Sequence, residues 1–221
     1  MHHSTLAAFD FDGTLYPFAP YDSEELLMLL ASRRRGRLIQ ARAKRAVLKD
    51  MAGKSPLEEF DRNFLRYAKG TDGALLEEDV DIIIKPCAKE AYASLKTLSE
   101  HADIIVLSAG TTDLSRLFLK RFDVDQCITG YYGKHLLFDE NGIMYGYTSE
   151  VPTTKAKADI LKAFRPSYTK ILACGDGLTD KYMLKEADLG ILLRYDGKAI
   201  FPGFPLTRSI PETVQMMINS L

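Results

Sequence analysis

Leu6-Ala7-Ala8-Phe9-Asp10-Phe11-Asp12-Gly13-Thr14-Leu15 is an apolar run that closes on two aspartates one residue apart and then breaks at glycine. A stretch of this length suits a strand covered on both faces, as in a parallel sheet. Side chains alternate along a strand, so Asp10 and Asp12 fall on the same side. Ionised carboxylates in such a place cost several kcal/mol unless paired or metal-bound, and two close together repel. Either a set of structural donors satisfies the pair, or it stands at the carboxyl end of a central strand, where open α/β sheets bind ligands.

The same texture returns later. Asp103-Ile104-Ile105-Val106-Leu107, Lys170-Ile171-Leu172-Ala173-Cys174 and Leu189-Gly190-Ile191-Leu192-Leu193 are short apolar runs separated by helical patterns. They predict an α/β fold, a doubly wound, Rossmann-like parallel sheet built from residues 1–15 and 86–221. Residues 16–85 read as a small helical cap inserted after the first strand. Pro17 and Pro20 mark the exit, Ser23-Glu24-Glu25 opens a helix carrying Leu26, Leu27, Leu29 and Leu30, and a second pattern runs through Leu57, Phe60, Phe64, Leu65 and Tyr67. Only Ile82-Ile83-Ile84 reads as strand-like there. Such an insertion, tethered beside the acid pair, is placed to act as a lid. Asn141-Gly142 between two strand-like runs predicts a hairpin, and 221 residues leave room for one core plus this insertion.

A net charge of −1 gives no global bias toward nucleic acid or membrane. The three cysteines, Cys87, Cys127 and Cys174, have no CxxC spacing, so a reducing cytoplasm is expected rather than a disulfide framework or zinc site. No run of about 18 apolar residues and no apolar leader is seen, so neither a membrane span nor a signal peptide is expected. The local charge excess from Arg33 to Lys49 reads as a solvated helical face with Leu38, Ile39 and Val47 turned inward. A nucleic-acid patch is disfavoured because no aromatics interleave. Phe201-Pro202-Gly203-Phe204-Pro205 reads as a loop whose aromatics either pack on the core, the favoured reading, or mediate dimer contacts.

Three further segments carry candidate chemistry. Leu107-Ser108-Ala109-Gly110-Thr111-Thr112 is a small-residue junction before a helix, where Ser108 and its neighbours either hold a phosphate or cap the helix. Lys155 and Lys157 open the helix expected over residues 155–164, a position mildly unfavourable for cations; one of them would neutralise an anion at the sheet edge. Cys174-Gly175-Asp176-Gly177-Leu178-Thr179-Asp180 ends a strand in a glycine turn bearing one acid, with a second in the next helical turn. If the strands are neighbours, Asp10, Asp12, Asp176 and Asp180 converge. Oxygen ligands of that kind favour Mg²⁺ over a soft transition metal.

Asp10-Phe11-Asp12-Gly13-Thr14-Leu15, Leu107-Ser108-Ala109-Gly110, a lysine opening a helix and Gly175-Asp176-Gly177-Leu178-Thr179-Asp180, in this order over about residues 5–195, resemble the haloacid dehalogenase superfamily, and within it the phosphoserine phosphatase group. The resemblance implies that Asp10 is a nucleophile forming an aspartyl-phosphate and Asp12 a general acid and base. It implies Mg²⁺ held by the Asp10 and Asp176 carboxylates and the Asp12 backbone carbonyl with Asp180 in support, and phosphate bound by Ser108, Ala109 and a lysine. In chains of this group apolar residues follow the lysine at +3, +4 and +7, which selects Lys157, followed by Ile160, Leu161 and Phe164. A second acid at position 12 points to phosphomonoester hydrolysis rather than dehalogenation; a phosphomutase or phosphotransferase, or a non-catalytic phosphate-binding module, is the alternative. The group's amine-gripping glutamate falls at position 19, which is Ala here, the nearest acid being Asp22; Arg62, or else Arg66, matches its carboxylate-binding arginine. The expected partner is a small phosphate ester such as phosphoserine, phosphoethanolamine or phosphocholine, turned over by a monomer or homodimer.

Overall fold

A computed structural model of the protein describes residues 3–17, 20–83 and 87–221. The opening run forms β1 (Thr5–Phe9), buried throughout. Four helices follow, α1 (Ser23–Arg34), α2 (Arg37–Met51), α3 (Leu57–Ala68) and α4 (Gly73–Ile83). The chain continues through α5 (Glu90–Ser99), β2 (Asp103–Thr111), α6 (Thr112–Arg121), β3 (Ile128–Phe138), β4 (Met144–Ser149) and α7 (Ala156–Phe164). It ends with β5 (Lys170–Gly175), α8 (Lys181–Glu186), β6 (Leu189–Leu193), β7 (Leu206–Thr207) and α9 (Ile210–Asn219).

The strands form one sheet in the order β4-β3-β2-β1-β5-β6-β7, parallel except for β4. β1 lies at its centre, flanked by β2 and β5. Period-2 alternation splits β1 between two cores: Ala7 and Phe9 face one, with Leu95, Phe118 and Val214, while Leu6 and Ala8 face the other, with Leu161, Ile171 and Met183. Each large apolar side chain so buried stabilises the fold by about 1.5–3 kcal/mol. From β1 the chain builds outward to β2 and β3, then crosses to β5 on the other side. The switch opens a crevice at the carboxyl ends of β1, β2 and β5.

The hairpin forms as expected. Gly142 takes φ +75°, its N–H donates to Asp139 O at 2.9 Å, and β3 and β4 pair antiparallel on either side. Phe201 is buried and meets Phe204 edge to face at 5.6 Å, so that loop does pack on the core.

Two readings need correction. Ile82 and Ile83 close α4 instead of forming a strand; Leu76 and Val80, four apart and buried, give that segment helical periodicity. Ile84 lies outside the described residues, as does Pro86, where the cap was expected to rejoin the core. Leu38 is 67% exposed, whereas Val47 is fully buried. Nine residues at 100° each amount to half a turn, so the two point to opposite faces of α2. The basic stretch is also two helices, separated at Gly36, whose φ of +111° suits glycine.

Candidate active site

The crevice is built around Asp10, one residue beyond β1 and still in the sheet through its N–H to Cys174 O at 2.9 Å. Lys157, in the first turn of α7, is 1% exposed; its Nζ donates to Asp10 Oδ1 and Asp180 Oδ1, each at 2.6 Å. The other oxygen of Asp180 accepts the N–H groups of Asp176 at 3.1 Å and Gly177 at 3.0 Å, closing the turn after β5. Carboxylate oxygens of Asp10, Asp176 and Asp180 thus lie within 4.8 Å of one another. Glycine makes this approach feasible: Gly13 has φ +83°, and a Cβ there would collide with the Asp176 carboxylate.

Burial, reinforced by Asp180, holds the Asp10 carboxyl well above its usual range despite Lys157. Burial and Asp180 likewise push Asp176 up to about 7, against Arg194 and Lys157. When all three are ionised, Lys157 between Asp10 and Asp180 and Arg194 3.8 Å from Asp176 leave one negative charge unmatched, and the acids' donors are all hard oxygens. The set fits a small divalent cation such as Mg²⁺.

Asp12 is held differently. Its two oxygens accept the N–H of Ser23 at 2.8 Å and the Ser23 hydroxyl at 3.0 Å, at the first turn of α1. Burial raises its pKa, opposed by those bonds and by Lys157 and Lys134. Its carboxylate is therefore not one of the three that crowd together beside it.

A cavity of 450 Å³ lies over these groups, lined on the sheet side by Asp10, Asp12, Ser108, Ala109, Lys134, Lys157 and Asp176 and on the other by Glu24, Asp50, Ser55 and Phe60. Ser108 is buried near the end of β2 and accepts the N–H of Gly110 at 3.1 Å. It is not the cap of α6, whose N-cap position belongs to Thr111.

The structure thus brings Asp10, Asp12, Ser108, Ala109, Lys157, Asp176 and Asp180 together. Lys155 stays outside, exposed, with its ammonium 5.8 Å from the Tyr182 ring centroid. Arg62 and Arg66 are exposed on α3 and neither lines the cavity, so no arginine of α3 reaches it. Position 19 lies outside the described residues. Sequence reasoning missed Lys134, whose Nζ lies 2.9 Å from Glu24 Oε2 and 2.8 Å from Asp61 Oδ1. A signal existed: Lys134 alternates with Leu136 and Phe138, a lysine on the inward face of a strand.

Fold and site together define a doubly wound α/β protein with an acid and lysine centre at its topological switch point and helices inserted beside it. The chain belongs to the haloacid dehalogenase-like hydrolase family, whose profile matches residues 7–185. It is 26% identical over 125 residues to a phosphoserine phosphatase of Pseudomonas syringae pv. tomato (strain ATCC BAA-871 / DC3000), covering 56% of this chain and 50% of that protein. The chain thus spans about half the length of that curated relative. Among solved structures, a phosphoserine phosphatase from T. onnurineus superposes with a TM-score of 0.65 at 21% identity, covering 98% of this chain and 96% of the other. A probable phosphoserine phosphatase from Vibrio cholerae gives 0.66 at 17%, covering 100% and 68%. The sheet and its flanking helices match this fold.

Proposed function

We propose that the protein is a Mg²⁺-dependent phosphatase that hydrolyses a small phosphate monoester through an aspartyl-phosphate at Asp10. The observation that carries this reading is the division of labour between two neighbouring acids: Asp10 in the lysine and carboxylate cluster, Asp12 held apart by Ser23. Asp10 attacks phosphorus through a carboxylate oxygen as the bond from phosphorus to the alcohol oxygen breaks. Asp12, held apart from the lysine and carboxylate cluster by Ser23, gives its proton to the departing oxygen. Its carboxylate then takes a proton from water as that water attacks phosphorus, and the bond to Asp10 breaks to release phosphate. Lys157, kept protonated between two carboxylates, and Ser108 with the Ala109 N–H neutralise the phosphoryl oxygens, as such chemistry requires. Mg²⁺, held by Asp10, Asp176 and the Asp12 carbonyl with Asp180 in support, would supply further charge neutralisation at the phosphoryl group.

Residues 16–85 act as a lid over a core of residues 1–15 and 86–221. Cys87, Cys127 and Cys174 are free thiols, in keeping with a cytoplasmic setting. Among the described residues, no helix is long and apolar enough to cross a membrane. The leaving alcohol is a small metabolite whose body occupies the 450 Å³ cavity. The test is phosphate release across a panel of phosphate esters. Turnover that disappears with EDTA, returns with Mg²⁺ and is lost in Asp10→Asn is expected; turnover indifferent to both overturns the reading.

A further inference from the structure

Lys134 has no part in the chemistry above, yet it is 3% exposed and lines the same cavity. A buried ammonium persists only where partners hold it. Here Glu24 of α1 and Asp61 of α3 do so, and the rings of Phe60, Phe64 and Tyr147 lie 5.4, 5.4 and 5.5 Å from its nitrogen. One strand of the sheet thereby grips two inserted helices at a single point.

That point is next to the chemistry. Glu24 follows Ser23 in the first turn of α1, and Ser23 holds both oxygens of Asp12. Ser23 is fully buried and Glu24 nearly so, so the turn has little freedom of its own. A displacement of Glu24 moves Ser23, and with it the carboxyl that must meet the leaving oxygen.

We propose that Lys134 is a positioning residue: by clamping Glu24 and Asp61 it seats the first turn of α1 so that Ser23 aims Asp12 at the leaving group. The proposal rests on the reading of Asp12 as proton donor. A lysine that merely joined helices to sheet would affect all substrates alike. An aiming lysine matters most where the leaving group needs a proton: phenolate does, whereas p-nitrophenolate departs readily without one.

The experiment measures single-turnover release from phenyl phosphate and from p-nitrophenyl phosphate and reads the ratio of the two rates. Lys134→Met is expected to lower that ratio by about tenfold, a part of the roughly 10²–10⁴-fold that general acid catalysis contributes, and Lys134→Arg to restore most of it. An equal loss on both substrates in Lys134→Met overturns the proposal. If that variant does not fold, Glu24→Gln, which weakens the clamp while keeping an acceptor for Lys134, must lower the ratio, and an unchanged ratio overturns the proposal. Asp12→Asn separates the two levels. A ratio that falls in Asp12→Asn but not in the Lys134 variants sinks only the positioning role, whereas no change in Asp12→Asn sinks the reading of Asp12 itself.

Discussion

Asp10 and Asp12 share a strand end and a residue type but not an environment. Asp10 faces Lys157 and two further carboxylates, while Asp12 faces a helix N-terminus through Ser23. Distinct surroundings are how two carboxyls take two roles, the ones proposed above for this pair. Replacing Asp12 by Asn should therefore lower kcat by about 10²–10⁴-fold, the usual scale of general acid and base catalysis, with little change in melting temperature. Gly13→Ala should act by geometry: its φ of +83° and the Asp176 carboxylate beside it leave no room for a methyl group. Calorimetric titration with Mg²⁺ should show binding weakened by tenfold or more, and undiminished affinity would mean that Asp176 is not a ligand. Most of this centre was legible in the sequence because each member sits in a short motif at a strand end. Lys157 was legible only through the family resemblance, whose lysine is followed by apolar residues at +3, +4 and +7; Leu161, at +4, is buried. Lys134 was not, because its partner Glu24 lies 110 residues away and only the folded sheet brings them together. On α3 it is Asp61, one residue before the exposed Arg62, that turns inward to Lys134.

At the level of elements, the strands were readable from apolar runs and the hairpin from Asn141-Gly142, since each depends on local pattern and turn chemistry. The misread segments were those in which composition and phase disagreed. Ile82 and Ile83 look like strand in isolation, but Leu76 and Val80 put them on a helix. Leu38 looks like core by type, but half a turn separates it from Val47. Leu38→Gln should thus change stability by no more than about 0.5 kcal/mol, whereas Val47→Ala should cost about 1–3 kcal/mol through the cavity it leaves; denaturant unfolding of both variants checks the assignment. The first turn of α1 carries a pH signature. Burial outweighs Lys134 and raises Glu24 to about 7. An acid whose folded pKa lies above its unfolded value binds more protons when folded, so its contribution to stability falls as pH rises from about 4.5 through 7. Glu24→Gln should flatten the dependence of melting temperature on pH across that window. An unaltered slope would show that Glu24 does not titrate there.

For the molecule as a whole, the central position of β1 decides where chemistry can occur. With β2 on one side and β5 on the other, three strand ends and the start of α7 meet at one crevice, and α1 enters it from outside the sheet. The doubly wound sheet was readable because its strands are continuous apolar runs. The contacts that bring the inserted helices onto it were not, because they are ion pairs and ring contacts between distant segments. In the proposed mechanism Asp10 carries the phosphoryl group in transit. Rapid acid quench during turnover, followed by mass spectrometry of peptides, tests it most directly. A phosphoryl group is expected on the peptide containing Asp10, absent in Asp10→Asn and longer lived in Asp12→Asn, where the proposed water-activating base is gone. Phosphate release at the wild-type rate with no phosphorylated Asp10 at any quench time, even in Asp12→Asn, would contradict that mechanism.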